Sequence, residues 1–258
     1  MTRLTVVIPC YNEAERLDGP PLLAFLDQHP EAKLILVDDG SKDATLARIE
    51  ALAAERAGRI ETLALRPNRG KAEAVRAGMS RALEAHRPPI VGFLDADLST
   101  PPDELPGLLA ALERPGIDVA IGARVALLGK DIERSAVRHY LGRAFATAAS
   151  LILHAPVYDT QCGAKLFRDT PSLRGALAQP FLSRWAFDVE LLGRLFAGSD
   201  EVPPVPLSAV VEVPLGTWRD VKGSKLTSRA MALTLADLAR IELDLAARRR
   251  RARRGRRV

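Results

Sequence analysis

Two aspartates one residue apart, Asp95 and Asp97, directly follow the short apolar run Val91–Leu94. Because successive side chains of a strand point to opposite faces, both carboxylates can reach one target only if the strand ends here. A strand end with two carboxylates is a hard oxygen site that suits Mg²⁺ or Mn²⁺ bridging phosphate groups. The Asp-x-Asp pattern is short and common by chance, so alone it predicts only a strand followed by a polar turn.

Two further groups of polar residues follow apolar runs in the same way. The predicted strand Leu4–Ile8 is followed by Pro9–Glu13, and the predicted strand Lys33–Val37 by Asp38 and Asp39. Strands that alternate with helices predict βαβ units and a mostly parallel sheet with helices on both faces. Ligands of such sheets bind at the carboxyl ends of the strands, so we expect these polar residues to meet in one pocket.

Apolar periodicity and turn residues predict the elements of the whole chain. The predicted strands are Leu4–Ile8, Lys33–Val37, Ile60–Leu65, Ile90–Leu94 and Val119–Ile121, with an edge strand within Val202–Val213. The predicted helices are Asn12–His29 in part, interrupted by Gly19–Pro21, then Asp43–Ala57, Gly70–Glu84, Asp103–Leu112, Asp131–Leu153, Trp185–Phe196 and Thr227–Arg251. Residues 158–167 are interpreted as a polar cluster. We expect one α/β domain over residues 1–226, followed by a C-terminal helix and basic tail over 227–258.

The composition is typical of a soluble globular protein, with 258 residues of which 47% are apolar. No apolar run approaches the roughly 18 residues that a membrane span needs, and the N-terminus lacks the pattern of a signal peptide. Cys10 and Cys162 form neither a metal-binding spacing nor a disulfide framework, so we expect a cytoplasmic location.

The net charge of +5 comes from the C-terminus. Eight arginines lie among residues 248–258, and without them the 37 basic residues fall to 29 against 32 acidic ones, which leaves about −3 for the body. The basic pI therefore does not indicate a nucleic-acid-binding fold, and we expect no nucleic acid partner. We expect a disordered basic tail after the last helix, which either binds an anionic membrane surface or only improves solubility.

Five segments together resemble a family 2 glycosyltransferase of the GT-A fold. These segments are Val7–Glu13, Val37–Asp43, Asn68–Ala72, Asp95–Asp97 and Gly122–Arg124. Four later segments resemble the branch of dolichyl-phosphate glucosyltransferases and dolichyl-phosphate mannose synthases, and the glucosyltransferases match better. These are Arg134–Arg138, Asp159–Lys165, Arg184–Glu190 and Trp218–Lys225. The resemblance covers residues 4–226 and implies a Rossmann-like GT-A sheet and a metal-dependent hexosyltransferase.

The resemblance implies a nucleotide-sugar donor bound by the first half of the chain. Tyr11 offers a ring on which a base can stack, and Asn12 and Glu13 offer hydrogen bonds to base or ribose. Asp39 is placed to accept hydrogen bonds from a nucleobase edge. Lys71, at a predicted helix start, can pair with a phosphate or with an aspartate of the site, and an exposed lysine is the alternative. The other predicted donor contacts are Pro9, Gly40, Asp95 and Ala96, where Gly40 permits a tight turn.

The same resemblance implies a divalent ion, Mg²⁺ or Mn²⁺, held by Asp97 with Asp95 in contact with the metal or the ribose. Such an ion offsets the charge that develops on a leaving nucleoside diphosphate. The mannose synthases often carry an amide two residues beyond the second aspartate. This chain has Ser99 there, so the third metal ligand stays open.

Polar and basic residues of the second half fit an acceptor that carries a phosphate, because guanidinium groups suit phosphate oxygens. Asp188 stands where many family 2 enzymes keep a general base, although an ionised phosphate acceptor does not require one. Trp185 is expected to pack either on a sugar face or in the core. The predicted acceptor-binding residues are Arg134, Arg138, Gln161, Lys165 and Trp185, and the predicted catalytic residues are Asp95, Asp97, Arg124 and Asp188.

These features predict an inverting transfer of a hexose, glucose from UDP-glucose, to polyprenyl or dolichyl phosphate. The amphipathic helix Asp131–Leu153 is expected either to lie on the cytoplasmic face of a membrane or to face the core. Alternatives are a GDP-mannose-dependent polyprenyl-phosphate mannosyltransferase and a family 2 enzyme with a soluble hydroxyl acceptor. A nucleotidyltransferase is disfavoured because Pro9–Asn12 replaces the usual glycine-rich loop. A non-catalytic protein that binds sugar nucleotides is the last alternative.

Overall fold

A computed structural model describes residues 2–133, 136–199, 201–219 and 228–255, with side chains except at 133–141, 228–235 and 253–255. The strands in these ranges are β1 (Leu4–Cys10), β2 (Ala32–Asp38), β3 (Ile60–Ala64), β4 (Ile90–Leu94), β5 (Val119–Ala123), β6 (Asp131–Glu133), β7 (Ala164–Arg168), β8 (Val210–Pro214) and β9 (Thr217–Arg219). The α-helices are α1 (Gly19–Gln28), α2 (Thr45–Glu55), α3 (Lys71–Arg81), α4 (Leu105–Glu113), α5 (Ala136–Leu153), α6 (Pro171–Leu177), α7 (Phe187–Ala197) and α8 (Ser228–Gly255).

Seven strands form one sheet in the order β3-β2-β1-β4-β7-β5-β8. Neighbouring strands are parallel except around β7, which runs antiparallel to both β4 and β5. The strand β8 lies at an edge of the sheet, as predicted, and β6 pairs with β9 in a separate ribbon. The mostly parallel sheet confirms the predicted α/β fold class.

Alternate residues of the central strands pack against helices on opposite faces of the sheet. On one face Val7 shares a core cluster with Val75 of α3, and on the other face Ile8 shares a cluster with Leu22 of α1 and Leu108 of α4. Both strand residues are fully buried. Burial on two faces explains why these strands are almost continuously apolar in sequence.

Three element predictions differ from the structure. The predicted helix Asp131–Leu153 is instead β6 followed by α5, because Asp131–Glu133 pairs with β9. The region interpreted as a polar cluster contains β7, in which the fully buried Lys165 breaks up the apolar run that signals a strand. The residues Gly19–Pro21 begin α1 rather than interrupt a helix, since proline fits the first turn of a helix.

Six of the C-terminal arginines, Arg248–Arg251, Arg253 and Arg254, lie within α8. The last helix was predicted to end at Arg251 with a disordered tail beyond it, but α8 continues to Gly255, so the predicted tail is wrong for residues 252–255. Ion pairs along the helix from Arg248 to Asp244 at 2.6 Å and from Arg249 to Glu242 at 2.8 Å support the helix before this extension. In the described part of the chain, no helix is both long and apolar enough to cross a membrane.

Candidate active site

The carboxyl edge of the sheet collects charged residues from several elements. Asp95 and Asp97 directly follow β4, and Arg124 directly follows β5. Because β7 is antiparallel to β4, the first residues of β7 lie at this same edge, with Lys165 opposite Phe93. The helices α3 and α7 also begin here, so that residues from both halves of the sequence meet at one edge.

Asp95 is held between a lysine and a glycine. Its Oδ1 lies 2.6 Å from Lys71 Nζ, and each of the two side chains is 28% exposed. Its main-chain N–H donates to the carbonyl of Gly163 at 2.9 Å. A Cβ atom at Gly163 would lie 2.4 Å from Asp95 Cγ, so only glycine permits this approach. The carboxylate therefore has a fixed position at the strand end.

Several carboxylates surround the ammonium group of Lys71. Burial lowers the pKa of Lys71, but Asp95, Asp188 and Asp97 outweigh this effect, and the pKa lies above its ordinary value. The Lys71 side chain therefore carries a positive charge at neutral pH. A cation beside two strand-end aspartates can contact an anionic group such as a diphosphate when a divalent ion offsets the charge of the carboxylates.

Asp97 and Glu13 bring negative charge to the same edge from different strands. Asp97 Oδ1 accepts a hydrogen bond from the main-chain N–H of Ser99 at 3.0 Å. Glu13 Oε1 pairs with Arg16 at 2.7 Å, whereas its buried Oε2 accepts no hydrogen bond from the described residues. Burial raises the pKa of Glu13, and Asp97 raises it further, although Arg16 opposes both. An arriving ligand with a donor group or a cation can therefore stabilise Glu13.

The described residues contain no group of three or more His, Cys, Asp and Glu side chains arranged to hold a metal ion. Asp97 and Asp95 still fit an ion of the Mg²⁺ type, because such ions usually take only one or two carboxylates and complete their shell with substrate phosphates and water. Asp97 is better placed than Asp95, whose Oδ1 already contacts Lys71.

Residues 5–172 of this sequence match the family described as glycosyl transferase family 2. The chain belongs to this family. A dolichyl-phosphate beta-glucosyltransferase of Drosophila melanogaster is 35% identical over 239 residues, which cover 87% of this chain and 69% of that protein. A polyprenol monophosphomannose synthase of Mycolicibacterium smegmatis is 29% identical over 208 residues, which cover 80% of this chain and 77% of that protein.

A solved structure supports the fold of this family 2 glycosyltransferase. It is glucosyl-3-phosphoglycerate synthase from Mycobacterium tuberculosis in complex with Mn²⁺, UDP-glucose and phosphoglyceric acid. The two chains superpose with a TM-score of 0.65 at 21% sequence identity, and the match covers 96% of this chain and 79% of that one. The likeness confirms the predicted GT-A-like architecture.

Some predicted donor-binding residues of the glycosyltransferase bind other parts of the protein, so their polar groups are not open to a ligand. Asn12 has a positive φ of 52° and joins two loops. Its N–H donates to Ser41 Oγ at 3.0 Å, and its Oδ1 accepts the N–H of Lys42 at 2.9 Å. The Tyr11 ring is 41% exposed and remains available for stacking, whereas Ala96 is buried. Pro9 pairs with Val37 within the sheet.

The Asp39 carboxylate, predicted to contact a nucleobase, is buried and fixes a neighbouring loop. It accepts a hydrogen bond from Asn68 Nδ2 at 2.8 Å. It also accepts the main-chain N–H groups of Arg69 and Gly70 at 2.8 and 2.7 Å. In this structure, Asp39 therefore positions the loop that leads into α3. Gly40 forms the expected tight turn at φ 72°, where a Cβ would lie 2.7 Å from Asn68 N.

The predicted role of Lys165 as a ligand of the acceptor phosphate does not agree with its position. Lys165 is fully buried, and its Nζ pairs with the Asp188 carboxylate and donates to the carbonyl of Cys162 at 2.7 Å. The same contact closes Asp188 off from an acceptor, so a role as an open general base also does not agree with the structure. Both residues are buried.

Arg124 is predicted to be catalytic, and its guanidinium group binds a carboxylate of the following loop. Its Nε and Nη2 donate to the two oxygens of Asp159 at 2.7 Å each, and it stacks 5.3 Å from the Trp218 ring centroid. Burial lowers the pKa of Arg124, but Asp159 outweighs this effect and the pKa is raised. The bidentate pair fixes the loop at residues 158–161 beside the site.

The remaining predicted acceptor residues are exposed, half-buried or outside the description. Trp185 is 56% exposed, which excludes a place in the core. Gln161 is half-buried in the turn before β7. Arg134 and the side chain of Arg138 lie outside the described residues, so their predicted contacts with phosphate stay predictions.

Sequence reasoning missed two residues that shape the site. Gly163 permits the close approach of Asp95, and Glu212 of β8 accepts the main-chain N–H groups of Tyr158 and Asp159 at 2.8 Å each. A single glutamate inside the valine-rich strand Val210–Pro214 is the signal for the second residue. Gly163 lies within the segment Asp159–Lys165 that resembles the family, but its contact with Asp95 has no signal of its own in the sequence, because the two residues are about seventy positions apart.

Proposed function

We propose that this glycosyltransferase transfers glucose from UDP-glucose to a polyprenyl phosphate. The observation that carries the proposal is the extent of the likeness to dolichyl-phosphate beta-glucosyltransferases, at 35% identity over 87% of the chain in one case and 30% over 92% in another, from Dictyostelium discoideum. The cation Lys71 and the carboxylates Asp95 and Asp97 at the sheet edge supply the charges that a sugar diphosphate needs.

The proposed reaction is one displacement at the anomeric carbon. A phosphate oxygen of the acceptor forms a bond to this carbon while the bond to the UDP oxygen breaks, and the electron pair leaves with UDP. The configuration inverts because the two oxygens lie on opposite sides. The acceptor phosphate is ionised at neutral pH, so no base has to remove a proton. Asp188 is paired with the buried Lys165, which agrees with a reaction that needs no base.

In the proposed mechanism, the site stabilises the charge on the leaving diphosphate. Lys71 would place its ammonium beside the departing charge, where preorganised positive charge stabilises the transition state. Asp97, with Asp95 beside it, would hold the divalent ion, which supplies Lewis-acid stabilisation of the diphosphate when bound. Tyr11 and Glu13 would contact the nucleoside part of the donor.

The acceptor is proposed to approach from a membrane surface. The exposed side of α8 presents Leu243, 73% exposed, together with Arg250 and Arg251. Arg249 Nη1 donates to the carbonyl of Ile152 at 3.2 Å, which places the exposed Leu151 of α5 near the arginines. Apolar and basic side chains on one surface favour contact with anionic lipid headgroups.

The test separates donor and acceptor. The purified protein is incubated with UDP-glucose or GDP-mannose and with polyprenyl phosphate or 3-phosphoglycerate, each with Mn²⁺, Mg²⁺ or EDTA, and products are identified by mass spectrometry. We expect glucosyl polyprenyl phosphate and UDP. Mannosyl polyprenyl phosphate would reassign the donor, a product only with 3-phosphoglycerate would reassign the acceptor, and no product from either donor would contradict the proposal.

A further inference from the structure

Lys165 is a fully buried ammonium inside the sheet. Its Nζ pairs with the carboxylate of Asp188 in the first turn of α7 and donates to the carbonyl of Cys162 at 2.7 Å. It also lies 5.1 Å from the ring centroid of Phe93. A lysine is rarely buried to this extent, because removing the charge from water is costly unless partners compensate for it. The buried position of Lys165 therefore indicates a function besides packing.

One partner of Lys165 connects it to Lys71. Asp188 interacts with both ammonium groups, which oppose the rise in its pKa that burial causes. Lys71 Nζ lies 5.9 Å from the ring centroid of Phe187, and the Phe187 and Phe93 rings are 5.7 Å apart. Each ring thus lies against one of the lysines. The two aromatic rings keep the region around Asp188 apolar, which strengthens its interactions with both ammonium groups.

The other partner of Lys165 connects it to Asp95. The Cys162 carbonyl that Lys165 binds belongs to the residue directly before Gly163. Gly163 accepts the main-chain N–H of Asp95 and lies against its carboxylate. Lys165 therefore contacts two segments that position carboxylates near Lys71: α7, which carries Asp188, and the turn at Cys162–Gly163, which supports Asp95.

We propose that Lys165 is a positioning residue of the transferase site, which sets Asp95 and Asp188 around Lys71 so that its ammonium points toward the diphosphate of the donor. The inference rests on the proposed function in that the donor is a nucleoside diphosphate sugar. Lys165 acts through the two carboxylates and does not itself touch the substrate. A displaced Lys71 loses its contact with phosphate, whereas contacts with the nucleoside are unaffected.

The experiment compares Lys165→Met, Asp188→Asn and the double variant, with Glu190→Gln as the control. Glu190 lies on the same helix and is equally buried, but its carboxylate pairs with Arg194 and accepts the main-chain N–H of Leu182 instead of pairing with Lys165. Binding of UDP and of uridine in the presence of Mn²⁺ is measured by calorimetry, together with the thermal unfolding midpoint and kcat. If Lys165→Met does not fold, the isosteric Asp188→Asn variant tests the same pair.

We expect Lys165→Met and Asp188→Asn to lower the affinity for UDP about tenfold and kcat at least as much, with less than a roughly twofold change for uridine. The double variant recovers thermal stability, because no buried charge is left unpaired, but it does not recover UDP affinity. Glu190→Gln lowers only stability. Unchanged UDP affinity, equal losses for UDP and uridine, or full recovery in the double variant would overturn the inference.

The test of Lys165 and the test of the proposed function can fail independently of each other. Wild-type protein that binds UDP but transfers no sugar to polyprenyl phosphate contradicts the proposed acceptor, and the UDP and uridine comparison still tests Lys165. Wild-type protein that binds GDP in place of UDP contradicts the proposed donor base. The same comparison is then made with GDP and guanosine, and the expected selective loss is unchanged.

Discussion

Lys71 Nζ lies 2.6 Å from Asp95 Oδ1, and this ion pair joins the start of α3 to the end of β4. Both side chains are partly exposed, so a diphosphate can compete with the carboxylate for the ammonium. We expect Lys71→Met to lower kcat by roughly 10² to 10³, the range found when one preorganised hydrogen-bond donor is removed. Steady-state kinetics measure the effect. Lys42→Met, at an exposed lysine on the neighbouring loop, serves as the control, and an equal loss in both variants would contradict the assignment.

Asp97 is the better placed of the two strand-end aspartates to hold a metal ion. We expect Asp97→Asn to reduce Mn²⁺-dependent turnover by about 10² or more, because an amide is a weaker ligand and carries no charge. Manganese titration followed by calorimetry in the presence of UDP measures the lost affinity. The control Asp103→Asn changes an exposed aspartate six residues away and should behave as wild type. Full activity of Asp97→Asn in EDTA-treated buffer would contradict the proposed metal dependence.

Gly163 permits Asp95 to approach the main chain before β7. We expect Gly163→Ala to displace the Asp95 carboxylate, because the new Cβ would lie 2.4 Å from its Oδ2. Activity should fall by about 10², while the protein still folds. Circular dichroism and kinetics together check this outcome. Gly107→Ala in α4 is the matched control, since its Cβ would meet its nearest neighbour at 4.0 Å, and it should stabilise the helix by about 0.5 to 1 kcal/mol.

Glu13 should destabilise the fold at neutral pH. Burial raises its pKa above the ordinary value of 4.5, so the folded protein holds the proton more tightly than the unfolded chain. Its contribution to stability is therefore fully present below pH 4.5 and lost as the pH rises through the folded pKa. We expect Glu13→Gln to raise the unfolding midpoint at pH 7.5 and to match wild type at pH 4, measured by calorimetry. A lower midpoint at pH 7.5 would show that the pairing with Arg16 dominates instead.

The exposed arginines of α8 are expected to bind anionic membranes. Replacing Arg250 and Arg251 with serine should weaken binding to vesicles that contain phosphatidylserine by roughly 30-fold, from about 1 kcal/mol for each basic residue. Sedimentation with vesicles measures the change. The control Arg87→Ser/Arg114→Ser alters the net charge equally at loops far along the chain and should bind as wild type. Equal weakening in both double variants would indicate a net-charge effect without a specific surface.

The sequence was sufficient for the parallel half of the sheet and for the edge where its ligands bind. The strands β1, β2 and β4 are continuous apolar runs followed by polar residues, and both signals survive without tertiary information. Asp95 and Asp97 were predicted to lie at this edge because a strand ends before them, and the structure places them there.

Side-chain contacts between residues far apart in the chain could not be predicted from one sequence. An exposed carboxylate that binds ligand and a buried one that fixes a loop look the same in sequence, and Asp39 is of the second kind because Asn68–Gly70 supplies its donors. Lys165 is predicted to bind phosphate because it belongs to a group of basic residues in the second half of the chain, and its burial is unusual for a lysine. Its partner Asp188 lies 23 positions further along the chain, and only the fold brings the two together.

The antiparallel direction of β7 determines which parts of the chain reach the site edge of the sheet. A parallel strand in this place would bring its last residues to the site, followed by another helical crossover. Because β7 instead enters the sheet from the site edge, the chain between β5 and β7 leaves the sheet at this edge and returns to it there, with β6 and α5 in between. This inserted segment can change in length and composition while the parallel strands of the sheet stay unchanged.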